Sequence, residues 1–199
     1  RIDEFDRYLH ELGPLLRGED ADVTWRGVTS PVRHIMPTDG FVDFAPAIPL
    51  YVSGFGPRSL ALAGAHGDGA VLSIPPRAEF IERAWRHIET GAAQVGGRLD
   101  RSTFHTCTLT TIVVLDEGET LESERVFEQC GAFAVAGLHY AYDQWRNFGR
   151  RPSGAAMLEV WDDYVAMVEQ TPDSHRHERI HAGHNCWVLP EEAPFVTPA

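Results

Sequence analysis

The sequence predicts an α/β protein built on a parallel sheet, and three observations support this fold class. Short apolar segments at 48–53, 70–74 and 104–115 alternate with longer segments of helical periodicity. The connections between them are short, which is the pattern of βαβ units. The segment 48–53 is a continuous apolar run, as is typical of strands buried on both faces of a parallel sheet. We therefore expect a single α/β domain over residues 1–199.

Composition and charge exclude several classes of protein. The 199 residues are 43% hydrophobic and 23% charged, which is ordinary for a globular protein with a core. A net charge of −12 disfavours nucleic-acid binding through phosphate contacts. No apolar run approaches the roughly 20 residues that span a bilayer, and three well-separated cysteines do not form a disulfide framework. We expect a cytoplasmic protein that binds neither nucleic acid nor membrane.

The first elements are a helix and an irregular segment. The helix is predicted from five apolar residues at helical spacing: Ile2, Phe5, Leu9, Leu12 and Leu16. Residues 18–48 are rich in turn-forming residues and are predicted to be irregular. Because the chain begins in mid-helix without a cap, and ends where a new segment would start, we expect both ends to continue in a longer chain.

Two βα units are predicted next. The strand 48–53 leads into a helix from Pro57 to about His66, with proline in the first turn, where a missing N–H costs nothing. A Gly-Asp-Gly turn then precedes the strand 70–74. The helix that follows is amphipathic, and its inward residues are Phe80, Ile81, Ala84, Trp85 and Ile88.

A long strand and three helices complete the prediction. The β-branched segment 104–115 is expected to form one continuous strand. Helices are predicted at roughly 119–147, 153–170 and 173–181. The first of them carries an aromatic stripe, which we expect to pack into the core up to Gly149; a substrate-binding wall is the alternative. The stripe consists of Tyr140, Tyr142, Trp145 and Phe148.

The junction between the first strand and the helix after it is the main candidate site. It reads Ser53-Gly54-Phe55-Gly56-Pro57-Arg58. A helix N-terminus presents free backbone N–H groups and partial positive charge, and glycines let a ligand oxygen approach the backbone. Ser53 adds a hydroxyl and Arg58 a guanidinium. These features favour an anion site, although a tight strand-to-helix turn also uses two glycines.

A histidine-rich segment, HRHERIHAGHNC, is the second candidate. His181, His184 and Cys186 are residue types that bind zinc, but a structural zinc site needs a fourth ligand, which no nearby Cys-x-x-Cys pair supplies. We therefore favour a role in lining a pocket or capping a helix over a metal site. His181 and His184 flank Gly183, which would let the backbone approach a ligand.

The stretch IPLYVSGFGPRSLALAGAHGDGAVLSIP resembles the phosphate-binding segment of the luciferase-like flavin- and deazaflavin-dependent oxidoreductases. In that family an apolar strand runs into Gly-Pro-Arg/Lys, a Leu-x-Leu-Ala-Gly helix and Ala/Gly-Asp-Gly before the next strand. The matching residues are Pro49, Tyr51, Val52, Gly56, Pro57, Arg58, Leu60, Leu62, Ala63, Gly64, Asp68 and Gly69. The segments LHELGPLLRGEDADVTWRG and RIHAGHNCWV also resemble family elements.

The resemblance implies part of a TIM (β/α)8 barrel of the bacterial-luciferase type, without the N-terminal strands and the last βα unit. It implies that the phosphate of FMN or of an F-420 type deazaflavin coenzyme binds at Ser53, Gly54, Phe55, Gly56, Pro57 and Arg58. The expected activity is hydride transfer or monooxygenation of a small organic substrate, in a homodimer or higher homo-oligomer. His181 or His184 would act as general acid or base. The alternative is a non-catalytic subunit of the same fold that binds cofactor or serves in assembly.

Overall fold

The computed structural model describes residues 2–36, 40–74 and 76–197, without the side chains of residues 179–181. The chain divides into two compact units, Arg1–Thr110 and Thr111–Ala199, and we describe each by itself. One domain over the whole chain therefore stays a prediction. Within the described ranges, every helix is too short or too polar to cross a bilayer.

The first unit begins with helix α1 (Ile2–Leu16) and a hairpin of antiparallel strands β1 (Ala21–Trp25) and β2 (Val28–Val32). Arg26 and Gly27 close the hairpin with φ angles of 52° and 80°, as a type I′ turn requires. The prediction that residues 18–48 are irregular is therefore wrong for this segment. β2 contains Pro31, which is tolerated because β2 is an edge strand of a two-stranded sheet.

The rest of the first unit is a βαβαβ arrangement. Its elements are β3 (Tyr51–Gly54), α2 (Pro57–His66), β4 (Gly69–Leu72), α3 (Ala78–Gln94) and β5 (His105–Thr108). The three strands are parallel and lie in the order β3-β4-β5, which confirms the predicted parallel sheet. Val52, Leu60 and Leu72 pack in one buried cluster with the predicted α3 residues Trp85 and Ile88.

Helices α2 and α3 meet at two glycines. A Cβ atom at Gly64 would lie 1.8 Å from the carbonyl oxygen of Ile88, and one at Gly91 would lie 1.7 Å from that of Ala61. Neither distance is possible, so glycine at these two positions sets how closely the helices approach. Gly64 belongs to the stretch at residues 48–75 that resembles the luciferase-like family, which we call the family-like motif. In this structure the role of Gly64 is helix packing.

The prediction of one long strand over 104–115 is wrong beyond Thr108. β4 ends at Leu72, whose carbonyl accepts a hydrogen bond from the Leu109 N–H at 3.1 Å, so β5 has no partner strand further on. The apolar side chains that follow are exposed, with Ile112 at 80% and Val114 at 79%. β-branched composition predicted the strand, but a strand needs a neighbour to pair with.

The two faces of the parallel sheet differ. In β3, Val52 and Gly54 are buried on the face covered by helices, whereas Tyr51 and Ser53 are exposed on the opposite face. The same alternation occurs in β5, where His105 and Cys107 are exposed. The prediction that β3 is buried on both faces is therefore wrong in this structure. We call the side with these exposed residues the bare face.

The second unit is helical within its described residues. It contains α4 (Glu124–Phe148), α5 (Ala155–Val168), α6 (Asp173–His181) and a short 3-10 helix, Ala193–Phe195, which confirms the three predicted helices. α4 ends at Gly149 in the left-handed conformation with φ 68°, as predicted. Its aromatic stripe is only partly buried, because Tyr142 is 1% exposed but Tyr140 and Phe148 are 46% and 64% exposed.

A buried polar pair joins α4 to the C-terminal part of the second unit. His139 Nε2 lies 2.8 Å from Glu192 Oε1, and the two side chains are 2% and 1% exposed. Removing one partner of such a pair leaves a polar group buried without compensation. The pair therefore fixes how the segment around Glu192 packs against α4.

Candidate functional site

The predicted anion site lies where β3 ends and α2 begins. Gly56 is the N-cap residue, with φ −93° and ψ 158°, and Pro57 occupies the first helical position. The first helical hydrogen bond runs from the Leu60 N–H to the Gly56 carbonyl oxygen at 3.0 Å. The junction therefore lies at the C-terminal edge of the parallel strands, the edge at which α/β folds bind ligands.

The N-terminus of α2 has no side-chain cap. A glycine N-cap supplies no oxygen for the first-turn amides, and the Ser59 hydroxyl donates to the Gly56 carbonyl at 3.0 Å instead. Within the described part of the chain, the N–H groups of Arg58 and Ser59 have no acceptor. They can therefore donate to an anion, which the helix dipole also favours.

The two glycines of the junction serve different purposes. A Cβ atom at Gly54 would lie 2.8 Å from Ser59 Oγ and 3.2 Å from the Ser59 carbonyl carbon, so packing of strand on helix requires glycine there. A Cβ atom at Gly56 would meet nothing nearer than Ser59 Oγ at 3.8 Å. Its φ of −93° is also open to any residue. The space beside Gly56 is thus left unfilled by the described residues.

The side chains around the junction are accessible. Ser53 is exposed on the bare face, and Phe55 is 60% exposed. The Arg58 guanidinium donates to Asp3 Oδ1 on α1 at 2.9 Å, and these two side chains are 71% and 87% exposed. An ion pair this exposed contributes about 0–1 kcal/mol, so Arg58 can exchange Asp3 for a bound phosphate at little cost.

The histidine-rich segment lies in the second unit, whereas the junction lies in the first. His181 ends α6, and its side chain lies outside the described residues. His184 is half-buried, has a positive φ of 39°, and packs edge-on against Tyr140 with ring centroids 5.9 Å apart. A Cβ atom at Gly183 would lie 2.5 Å from the Trp187 carbonyl oxygen, so the local turn itself requires that glycine.

Metal-binding residue types do not cluster among the described residues. No three of the His, Cys, Asp and Glu side chains described are close enough to hold an ion. Cys186 is exposed and unbridged. The zinc set considered from the sequence also includes His181, whose side chain is not described.

Two further residues of the family-like motif have structural roles. The Asp68 carboxylate accepts a hydrogen bond from the Leu50 N–H at 2.8 Å, and the Asp68 N–H donates to the Leu50 carbonyl at 2.8 Å. Asp68 thereby fixes the entry into β3. A Cβ atom at Gly69 would lie 2.5 Å from the Tyr51 ring, so glycine is needed beneath that ring. Outside the junction, these positions of the motif build the fold.

Comparison with protein-family models identifies the family to which the chain is similar. The family model described as "Luciferase-like monooxygenase" matches residues 1–185, which is most of the chain. No curated protein matches the chain at a significant level.

Proposed function

Because this chain belongs to the luciferase-like monooxygenase family, whose members use flavin or F420 cofactors, we propose that it binds such a cofactor at the β3–α2 junction. The family indicates an oxidoreductase of the flavin type. The reaction we propose is hydride transfer to or from a small organic substrate, or its monooxygenation. FMN and the deazaflavin coenzyme share the feature that the junction would recognise, which is a phosphate group.

The observation that carries this proposal is the unfilled space beside Gly56 at an uncapped helix N-terminus. The N–H groups of Arg58 and Ser59 would donate to the phosphate oxygens, and the Arg58 guanidinium would neutralise their charge. The exposed Ser53 hydroxyl at the end of β3 would donate a further hydrogen bond.

When bound, the cofactor ring supplies the hydride or the activation of oxygen. The protein would hold the phosphate, orient the ring and move a proton. His184 and His181 remain our candidates for that proton transfer, since an imidazole ring can both donate and accept a proton. We also propose, from family membership, that the parallel sheet forms part of a (β/α)8 barrel and that the protein is a homodimer or higher homo-oligomer.

A binding titration tests the proposal. The purified protein is titrated with FMN and, separately, with the deazaflavin coenzyme, and binding is followed by cofactor absorbance and fluorescence. We expect micromolar or tighter binding of one cofactor. Gly56→Val should fold but weaken binding at least about tenfold, since its side chain occupies the space of the phosphate, a loss of roughly 1.4 kcal/mol.

Gly154→Val is the matched control. Gly154 is also a helix N-cap, with φ −75° and ψ 131°, and a Cβ atom there would meet nothing within 4 Å. Both variants place the same side chain at an N-cap, so a general effect on the fold would appear in both. If neither cofactor binds the folded protein, or if both variants weaken binding equally, the junction is not a phosphate site. Binding without turnover of any substrate would favour the non-catalytic subunit.

A further inference from the structure

The bare face of the parallel sheet carries two rows of side chains in register. Tyr51, Gly69 and His105 are paired across the three strands and form the first row, and Ser53, Val71 and Cys107 form the second. In the first row, the Tyr51 and His105 rings meet edge-on above Gly69, with centroids 5.5 Å apart. The second row lies one pleat nearer the C-terminal edge of the strands, on the side of the junction.

The chemistry of these rows differs from that of a packed core. A sheet face that serves only for packing is dominated by Val, Ile and Leu, as on the inner face of a barrel. Here the rows contain a phenol, an imidazole, a hydroxyl and a thiol, and Val71 is the only branched aliphatic residue in them. The Ser53 and Cys107 side chains are exposed. Such a surface suits a ligand that has both ring atoms and polar groups.

The second row is continuous with the junction. Ser53 belongs to both, because it is the residue before Gly54 at the end of β3. Two strand spacings separate Ser53 from Cys107, or about 10 Å. A phosphate joined to a ring by a polyol chain can cover this distance, with the phosphate at Gly56 and the ring over the sheet.

We propose that the row Ser53–Val71–Cys107 borders the ring-bearing part of the phosphorylated ligand, and that the Tyr51–His105 ring pair forms the floor beneath it. This inference rests on the proposed function and extends it to residues beyond the junction Ser53–Arg58. It assigns Val71 and Cys107 to the ligand site, and it makes Cys107 a reporter of the ligand. The Cys107 thiol is held only by a weak contact to the Ala70 carbonyl at 3.9 Å.

Protection from alkylation tests the inference. The full chain is treated with iodoacetamide, with and without saturating FMN or deazaflavin coenzyme, and labelling of each cysteine is measured by peptide mass spectrometry. Without ligand, the exposed Cys107 and Cys186 should both react. The bound cofactor should slow labelling of Cys107 at least tenfold relative to the ligand-free protein. Inorganic phosphate, which lacks a ring, should protect neither cysteine.

Substitution at the same position gives a second measurement. Cys107→Leu adds volume to the exposed side of the sheet and should weaken cofactor binding at least tenfold, whereas Cys107→Ala should leave it within about twofold. If the cofactor binds but Cys107 stays reactive and Cys107→Leu binds normally, the inference is overturned and the proposed function stands. If the wild-type protein binds no cofactor, both are overturned.

Discussion

The β3–α2 junction and the α2–α3 crossing each contain a glycine of the same sequence motif, Gly56 and Gly64, and the two regions use it differently. At the crossing, Gly64 and Gly91 leave no room for a Cβ atom, because a carbonyl oxygen of the opposite helix occupies its place. At the junction, Gly56 has free space beside it and an unstrained backbone. A glycine that the fold requires is explained by the fold. A glycine that the fold does not require leaves space, and at Gly56 this space lies at the ligand-binding edge of the parallel strands, whereas the space at Gly154 does not.

The largest effect is expected at the crossing. Gly91→Ala should lower the free energy of unfolding by at least about 3 kcal/mol or prevent folding, because α2 and α3 must move apart. Urea denaturation followed by circular dichroism measures this change. Gly137→Ala is the matched control: in α4 its Cβ atom would meet only Met157 Cε at 3.7 Å, so it should stabilise by about 0.5–1 kcal/mol. Equal effects of the two substitutions would contradict the close crossing.

Gly54 gives an intermediate case, since it lies in the junction but contacts protein. Gly54→Ala should cost about 1–3 kcal/mol of stability, because the new methyl group presses on Ser59. Adding Ser59→Ala removes the nearest atom, Ser59 Oγ, and should restore part of this loss in a double-mutant cycle. Additive costs in the cycle would show that Ser59 is not the obstacle. Gly54→Ala should lower stability, whereas Gly56→Val should weaken cofactor binding. Comparing the two variants then separates the glycine needed for packing from the glycine proposed to border the ligand.

Local sequence pattern predicted the parts of the fold that depend on local periodicity. The helices, the parallel pairing of β3, β4 and β5, and the end of α4 at Gly149 all follow from apolar spacing, short connections and turn residues. The β1–β2 hairpin was missed, because the turn-forming residues of 18–48 were interpreted as a loop and the pairing of two short strands is not visible in local composition. The end of β5 was missed because it is decided by the length of β4.

The candidate site shows the same division. The six residues Ser53–Arg58 are contiguous, so the sequence could place them together. The partner of Arg58 could not be predicted, since Asp3 lies on another helix and the pair is 55 residues apart in the chain. The buried pair of His139 and Glu192, 53 residues apart, was missed for the same reason. Sequence pattern also could not separate Gly56 from Gly64, because only contacts distinguish a glycine needed for packing from one that leaves space.

The smallest expected effect comes from removing the negative charge that pairs with Arg58 at the junction. Asp3→Asn removes the carboxylate that holds Arg58 and should change stability by no more than about 1 kcal/mol, because the pair is exposed. It should also tighten cofactor binding by about twofold to fivefold, the same energy expressed as affinity, since Arg58 no longer has to leave Asp3. Isothermal titration with the cofactor that binds measures this gain. Asp6→Asn on the same helix is the control. It removes an equal charge, but from a carboxylate that pairs with His66, at 2.6 Å, rather than with Arg58. If both variants change affinity equally, Arg58 does not contact the phosphate, and the junction binds through its backbone amides alone.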